Sequence, residues 1–459
     1  MEILVRVARD GAYTNIALRQ SLDKKGLEQR SNAFITELVN GTVRNQLYID
    51  HIIGSFCSVK KIKGYVLVVL RAAVYQIGWM DRVPPSAAVN EAVRMVKSGI
   101  YRSLAGFVNG VLRNIVRAKI PKDQADSGIP YPYGPMPAFG SVAYPDPTNE
   151  PDKYIGILYS FPIWLVKSLI GWLGYECALQ FCRQSHDTPS VSVCVNTQKT
   201  TISELQGIFR NEDIQYEQGN IDSEIMHLGH FHGLASMQPY RLGYFHVMDE
   251  GAMLAVRVLD PKPGQTIVDL CAAPGGKTFA CAYLMNDTGK VYSFDKHPHK
   301  LRLMRDSLDR LNLSCVRPIL HDATVPDSNL RYKADAVLLD APCSGFGTLK
   351  KKPEIKYNRT QENIKEMVAI QRELLKAASV YVKRGGVLVY CTCTVAREEN
   401  FDNIRWFTDN YPFSAVNRYT LPDGQNGFIE DNMLQLLPGR NNDGFFIACL
   451  ISDSGGRDG

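Results

Sequence analysis

From about Tyr244 to the end of the chain, short apolar runs alternate with helical stretches, and this alternation constrains the fold more than any other feature. Thr266–Leu270, Lys290–Asp295, Val316–Leu320, Ala334–Asp340, Gly386–Tyr390 and Phe445–Leu450 read as buried strands. Thr278–Met285, His299–Leu311 and Ile364–Val382 read as helices between them. The pattern predicts a doubly wound α/β sheet. In such sheets ligands sit at the carboxyl ends of the strands. The chemically distinctive residues of this chain fall at those ends.

The first such end is a small-residue turn, Cys271-Ala272-Ala273-Pro274-Gly275-Gly276-Lys277-Thr278, which opens a helix. Small residues let a ligand approach the backbone, and the helix start offers free N–H groups. Asp295 closes the next strand, where an acid accepts hydrogen bonds from ribose hydroxyls. Asp322 follows the third strand, where a carboxylate can meet an adenine amino group. The turn therefore suits a nucleotide-like cofactor. A phosphate-binding P-loop would need glycine five positions before Gly276, and Cys271 stands there instead.

Two further ends carry cysteines. Asp340-Ala341-Pro342-Cys343-Ser344-Gly345 follows the fourth strand, and Tyr390-Cys391-Thr392-Cys393-Thr394 closes the fifth. A lone cysteine is usually a buried small hydrophobe, but Cys343 and Cys393 sit just beyond strands, in polar turns. A thiolate can add to carbon 6 of a cytosine, which makes carbon 5 nucleophilic enough to take a methyl group from a sulfonium donor. Such chemistry needs a thiolate, an acid at ring N3, and a base or second thiol for resolution. Cys343 and Cys393 supply the sulfurs and Asp340 the acid. No Cys-x-x-Cys pair occurs and no histidine lies near these cysteines, so no metal site is expected. Lys350, Lys351, Lys352 and Lys356 follow the first motif as either phosphate contacts or a solvated charge run.

Upstream the character changes. Residues 1–120 read as helical, with stripes in Leu27 to Arg44, in a helix opened by Pro84, Pro85 and Ser86, and in Leu104 to Val116. Residues 121–153 hold eight of the prolines (Pro121, Pro130, Pro132, Pro135, Pro137, Pro145, Pro147 and Pro151) and are expected to be a linker laid partly over the surface. Residues 154–243 read as a small α+β domain of ferredoxin-like type, with a helix near Ile163 to Leu173, a strand at Val191–Val195 and a capped helix from Thr201 to Phe209. Residues 244–452 are expected to form the α/β domain, and 453–459 a disordered tail.

The 11 cysteines are scattered and odd in number, which suits reduced thiols in the cytoplasm rather than a disulfide framework. No run of about 18 apolar residues suggests a membrane span, and the start does not read as a secretory signal. Residues 1–120 carry 18 Lys and Arg against 8 Asp and Glu, a balance of +10 within a chain of net charge +5, which leaves −5 for the remainder. That asymmetry points to a polyanion held from the N-terminal side.

The motifs together resemble the Nop2/Sun superfamily of RNA cytosine-5 methyltransferases. Asp269–Thr278 resembles its donor loop, Asp340–Gly345 its Asp-Ala-Pro-Cys-Ser-Gly motif, Thr392-Cys393 its nucleophile motif and Glu398-Glu399-Asn400 the Glu-Glu-Asn that follows. Phe34–Thr42, Ala88–Val93 and Phe107–Arg113 resemble a NusB-type RNA-binding helical domain. The resemblance implies a Rossmann-like class I methyltransferase domain behind a NusB-like one. It assigns Cys393 as nucleophile, Cys343 to product release and Asp340 to the cytosine. It implies S-adenosyl-L-methionine held by Cys271 to Lys277, Asp295, Asp322 and Asp340. The fusion is similar to bacterial enzymes that methylate 16S ribosomal RNA, so a monomer acting on free or partly assembled small subunits is expected. The NusB-like part alone leaves a second class open, a non-catalytic RNA-binding or antitermination factor. A DNA cytosine methyltransferase fits less well, because those enzymes usually act through the Pro-Cys cysteine. The chain departs from the family pattern at Cys391 (serine is usual), Met248 (glutamine), Phe161 (histidine) and Tyr357 (tryptophan).

Overall fold

The computed structural model describes residues 1–22, 28–121, 136–229, 233–421 and 425–453. Leu27, three of the linker prolines (Pro130, Pro132 and Pro135) and the tail from residue 454 lie outside them. The chain divides into two compact units, one of Met1–Asp187 with Leu349–Asn358, the other of Thr188–Thr348 with Arg359–Gly459.

The first unit is helical. Its centre is helix Gly64–Trp79, with ten of its sixteen residues buried, so it is apolar nearly all round. Helices Gln29–Arg44, Pro85–Lys97 and Ala105–Ala118 turn one face each toward the interior. Pro85 occupies the first turn of its helix, where a missing N–H costs nothing. At Gly41 the ring of Tyr75 fills the place where a Cβ would stand, so only glycine allows the two helices to meet there.

The described part of the expected linker is not loose. Met136, Ala138, Phe139 and Val142 are buried, Phe139 bridges to Lys119, and the Tyr144 and Tyr48 hydroxyls are hydrogen-bonded. Helices Pro151–Leu158, Ile163–Leu173 and Tyr175–Gln184 follow in the same unit. Ile163–Leu173, expected in the small α+β domain, belongs to the helical unit. In the structure the helix packs on Pro151–Leu158, which itself packs on helix Gln46–Gly54.

Segment Leu349–Asn358 belongs to this unit although it follows the first cysteine motif. Lys350 and Lys356 are buried, so the sequence choice between phosphate contacts and a solvated run fails for both. Lys356 Nζ donates to the carbonyls of Arg44 and Tyr159 and lies 4.5 Å from the centre of the Phe161 ring. Burial holds its amine well below the usual lysine range. Glu354 accepts from both the Thr14 N–H and its hydroxyl, at the start of helix Thr14–Leu22.

The second unit begins with strands β1 (Val191–Val195), β2 (Tyr216–Gln218), β3 (Ile225–Leu228) and β4 (Phe245–Val247), an antiparallel sheet in the order β2-β3-β1-β4. Helix Ile202–Asn211 joins β1 to β2. Thr201 and Glu204 cap its start reciprocally, and Leu205 and Phe209 face Val193, Val195 and Met226.

Among the described residues nine strands form the main sheet: β5 (Thr266–Asp269), β6 (Lys290–Asp295), β7 (Val316–Leu320), β8 (Ala334–Asp340), β9 (Val382–Thr392), β10 (Phe413–Val416), β11 (Gly427–Glu430), β12 (Met433–Leu436) and β13 (Phe445–Ser452). The order is β11-β12-β13-β9-β8-β5-β6-β7. β13 runs antiparallel to β9, and its other edge is shared by β12 and then β10. The five strands β9-β8-β5-β6-β7 are parallel. Successive residues of the central strands feed opposite faces, Ile267 and Leu338 on one and Val268 and Leu339 on the other, so both faces are buried. From β5 the chain winds outward to β7, then returns to β8 on the other side. In sheets of this kind ligands bind at such a switch point, here between the carboxyl ends of β5 and β8.

Candidate active site

The end of β5 runs into the small-residue turn. Gly275 has a φ of +113°, and a side chain there would strike the Phe279 ring, so glycine is required. Gly276 opens helix Gly276–Leu284. Asp269 is buried at the end of β5 and accepts the Thr278 hydroxyl at 2.6 Å. Burial pushes its carboxyl up to about 7. His246 of β4 supports the turn from behind. Its Nε2–H donates to the Gly276 carbonyl at 3.0 Å, and its Nδ1 lies 3.2 Å from the Tyr283 hydroxyl. Burial lowers this imidazole to about 3, so it stays neutral. Sequence reasoning passed over His246, because nothing local marks a support 30 residues from its partner.

The expected donor acids stand along one rim. Asp295 ends β6, where its Oδ1 accepts from the His297 N–H at 2.8 Å. Asp322, just beyond β7, accepts from the Thr324 N–H and hydroxyl, which hold its carboxyl below the ordinary range. Asp340 ends β8 and pairs through Oδ2 with Lys277 Nζ at 2.6 Å. Burial alone would lower the Lys277 ammonium, but Asp340 outweighs it and holds the charge on. Cys271 lies at the mouth of the turn, and burial pushes its thiol up. A glycine turn at a helix start, with carboxylates at the ends of neighbouring strands, is a donor set that fits a nucleoside bearing ribose hydroxyls and a cationic centre.

The two motif cysteines meet. Cys343 Sγ lies 3.4 Å from Cys393 Sγ, although 50 residues separate them. Adjacent strands explain this, since Asp340 of β8 is in register with Cys391 of β9 and both turns leave the same edge. The Ala341 N–H donates to the Cys391 carbonyl and the Gly347 N–H to the Cys393 carbonyl, each at 2.9 Å. Ser344 Oγ is 2.7 Å from Thr394 Oγ1. The Cys343 thiol is pushed well up, first by its bond to Cys393 and then by burial. Cys391 is fully buried with its Sγ 3.7 Å from Asp340 Oδ1, and burial holds that thiol neutral. It faces the core and supports Asp340, which separates it from the exposed thiol chemistry. Among the described residues no cluster of side chains is arranged to hold a metal ion.

A model of the NusB family matches residues 1–117, and one described as 16S rRNA methyltransferase RsmB/F matches residues 256–451. A probable ribosomal RNA small subunit methyltransferase B of Bacillus subtilis (strain 168) is 33% identical over 459 residues, covering 98% of this chain and 97% of that protein. This chain belongs to the RsmB/F family. A protein of the same description from Synechocystis sp. (strain ATCC 27184 / PCC 6803 / Kazusa) is 31% identical, again over 98% of this chain and 97% of its own length. The crystal structure of PH0851 superposes with a TM-score of 0.78 at 28% identity, covering 97% of this chain and 96% of that one. Membership makes the chain a small-subunit ribosomal RNA methyltransferase that draws on S-adenosyl-L-methionine. The non-catalytic reading is thereby set aside.

Proposed function

We propose that this RsmB/F member forms 5-methylcytosine in 16S ribosomal RNA through a covalent bond between Cys393 and carbon 6 of the base. The observation that carries the reading is the 3.4 Å approach of Cys343 and Cys393, beside the Asp340–Lys277 pair. Cys271 to Lys277, Asp295, Asp322 and Asp340 hold the methyl donor, which supplies an electrophilic methyl group on a sulfonium sulfur. Cys393, as thiolate, adds to carbon 6. Asp340 faces ring N3, and the proton held between Lys277 and Asp340 offsets the charge that addition drives onto the ring. Carbon 5 then bonds to the methyl carbon as the carbon–sulfur bond of the donor breaks. The Cys343 S–H passes its proton to the departing Cys393 sulfur, and the resulting Cys343 thiolate takes the proton from carbon 5. The carbon 6–sulfur bond breaks and aromaticity returns.

The N-terminal helical unit, with the +10 balance of residues 1–120, grips RNA phosphates. The enzyme works as a cytoplasmic monomer on free or partly assembled small subunits. Among the described residues no single helix is long and apolar enough to cross a membrane. The test is nucleoside analysis of 16S RNA incubated with the purified protein and labelled donor. Label in 5-methylcytidine is the expected result. Label in a ribose methyl or in an exocyclic amine would refute the chemistry.

A further inference from the structure

Helix Gln361–Tyr381 and the turn after Cys393 enclose a polar cluster that the reaction above does not use. Glu399 is fully buried. Its Oε2 accepts from the Ser344 N–H at 2.9 Å and from Gln371 Nε2 at 2.9 Å. The same Gln371 Nε2 donates to the Pro342 carbonyl at 2.8 Å. Asn403 Nδ2 donates to Gln371 Oε1 at 2.8 Å, which fixes the amide so that its NH2 faces Glu399 and Pro342. Pro342 and Ser344 flank Cys343. The peptide groups on both sides of this cysteine are thus tied to one carboxylate–amide pair.

The pair is anchored on the other thiol's loop. Glu399 lies in the 3-10 turn Arg397–Glu399, six residues beyond Cys393, and the Tyr390 hydroxyl donates to its carbonyl at 2.7 Å. Glu399 Oε1 is buried and, among the described residues, has no hydrogen-bond partner. Burial raises the Glu399 carboxyl above its ordinary range, while the Ser344 and Gln371 bonds oppose the rise. A buried carboxyl group with one oxygen left without a partner costs stability.

We infer that Glu399, with Gln371, is a positioning residue that sets the Cys343 sulfur against the Cys393 sulfur for the release step. The inference rests on the proposed roles of the two cysteines. Carbon–sulfur bond formation needs Cys393 alone, and release needs Cys343 in place. Loosening the clamp therefore slows release and spares addition.

The experiment follows the covalent protein–RNA species on denaturing gels after mixing full-length protein, 16S RNA and donor. Wild type, Cys343→Ala, Glu399→Ala, Glu399→Gln, Gln371→Met and Cys343→Ala/Glu399→Ala are compared, with donor binding measured for each. Glu399→Ala is expected to prolong the adduct about tenfold, the scale of one lost hydrogen bond to a charged group. Glu399→Gln keeps an oxygen for the Ser344 N–H and is expected to restore most of the release rate. The double variant should release no more slowly than Cys343→Ala. If Glu399→Ala fails to fold, Gln371→Met, which frees the Pro342 carbonyl, carries the same expectation. Adduct in Cys343→Ala without adduct in Glu399→Ala or Gln371→Met overturns the inference alone. Absence of adduct in Cys343→Ala overturns the underlying assignment. A fall in donor binding or in adduct formation in step with turnover would mark Glu399 as a merely structural group, and would also overturn the inference.

Discussion

Lys277 Nζ lies 2.6 Å from Asp340 Oδ2, so the start of helix Gly276–Leu284 is bonded to the first residue of the cysteine motif on the neighbouring strand. In the proposed reaction the pair joins donor binding to base recognition at the switch point of the sheet. Lys277→Met removes the ammonium, which lies 5.1 Å from the centre of the Phe445 ring, and keeps a flexible apolar side chain of similar length. Turnover is expected to fall about 100-fold, the scale of one preorganised donor, with most of the loss in kcat rather than KM. Steady-state kinetics with donor varied checks this.

His246 links folding to acid through the donor turn. Its folded imidazole resists protonation down to about 3, whereas an unfolded one titrates near the ordinary value of about 6.5. The unfolded chain therefore binds more protons below pH ~6.5, and stability is lost as pH falls from there toward 3. By pH 5 the loss is roughly 2 kcal/mol. His246→Gln keeps a donor for the Gly276 carbonyl and loses the titration. Denaturant unfolding should show the variant's deficit at pH 7.5 shrinking by roughly 2 kcal/mol at pH 5.

Gly347 sits where three backbone segments touch. Its N–H donates to the Cys393 carbonyl, its carbonyl accepts from the Gly444 N–H, and a Cβ would overlap the Gly444 carbonyl. None of these neighbours is a flexible side chain. Gly347→Ala is expected to cost about 1–3 kcal/mol by overpacking and to displace the Cys393 loop. Thermal melting and methyl transfer measured together should both fall.

Glu354 caps the start of helix Thr14–Leu22 from a segment 340 residues away in sequence. Its carboxylate satisfies an otherwise orphaned N–H where the helix dipole favours negative charge. Glu354→Ala should lower stability by about 2–3 kcal/mol. Hydrogen exchange at residues 14–22 should quicken, while donor binding stays intact. Unchanged exchange there would contradict the capping role.

Strands β5 to β8 were legible because each centres on an apolar run bounded by turn residues. β10, β11 and β12 were not. Each is only four residues long, with polar members such as Ser414, Glu430 and Gln435, and each takes its strand state from a partner across the sheet. The sequence reading began β9 at Gly386, whereas the strand starts at Val382. The pairing with β8 shifts register beside Gly385, which has a φ of +71°, so a glycine pair that reads as a turn is an irregularity within a strand. Lys356 fits neither the phosphate-contact nor the solvated reading because its acceptors are backbone carbonyls, which leave no trace in side-chain patterns. The donor turn and cysteine motifs were readable because their chemistry is local. The Glu399–Ser344 bond spans 55 residues and had no local mark beyond the Glu-Glu-Asn resemblance.

The most direct measurement identifies the sulfur that bonds to RNA. Cys343→Ala protein is incubated with 16S RNA and donor, digested with nuclease and protease, and the modified peptide is sequenced by mass spectrometry. The account predicts one nucleotide-bearing peptide, modified at Cys393 on a methylated pyrimidine, and its disappearance when Cys393 is also replaced. Full methyl transfer by Cys393→Ala, or a nucleotide found on any other cysteine, would contradict it.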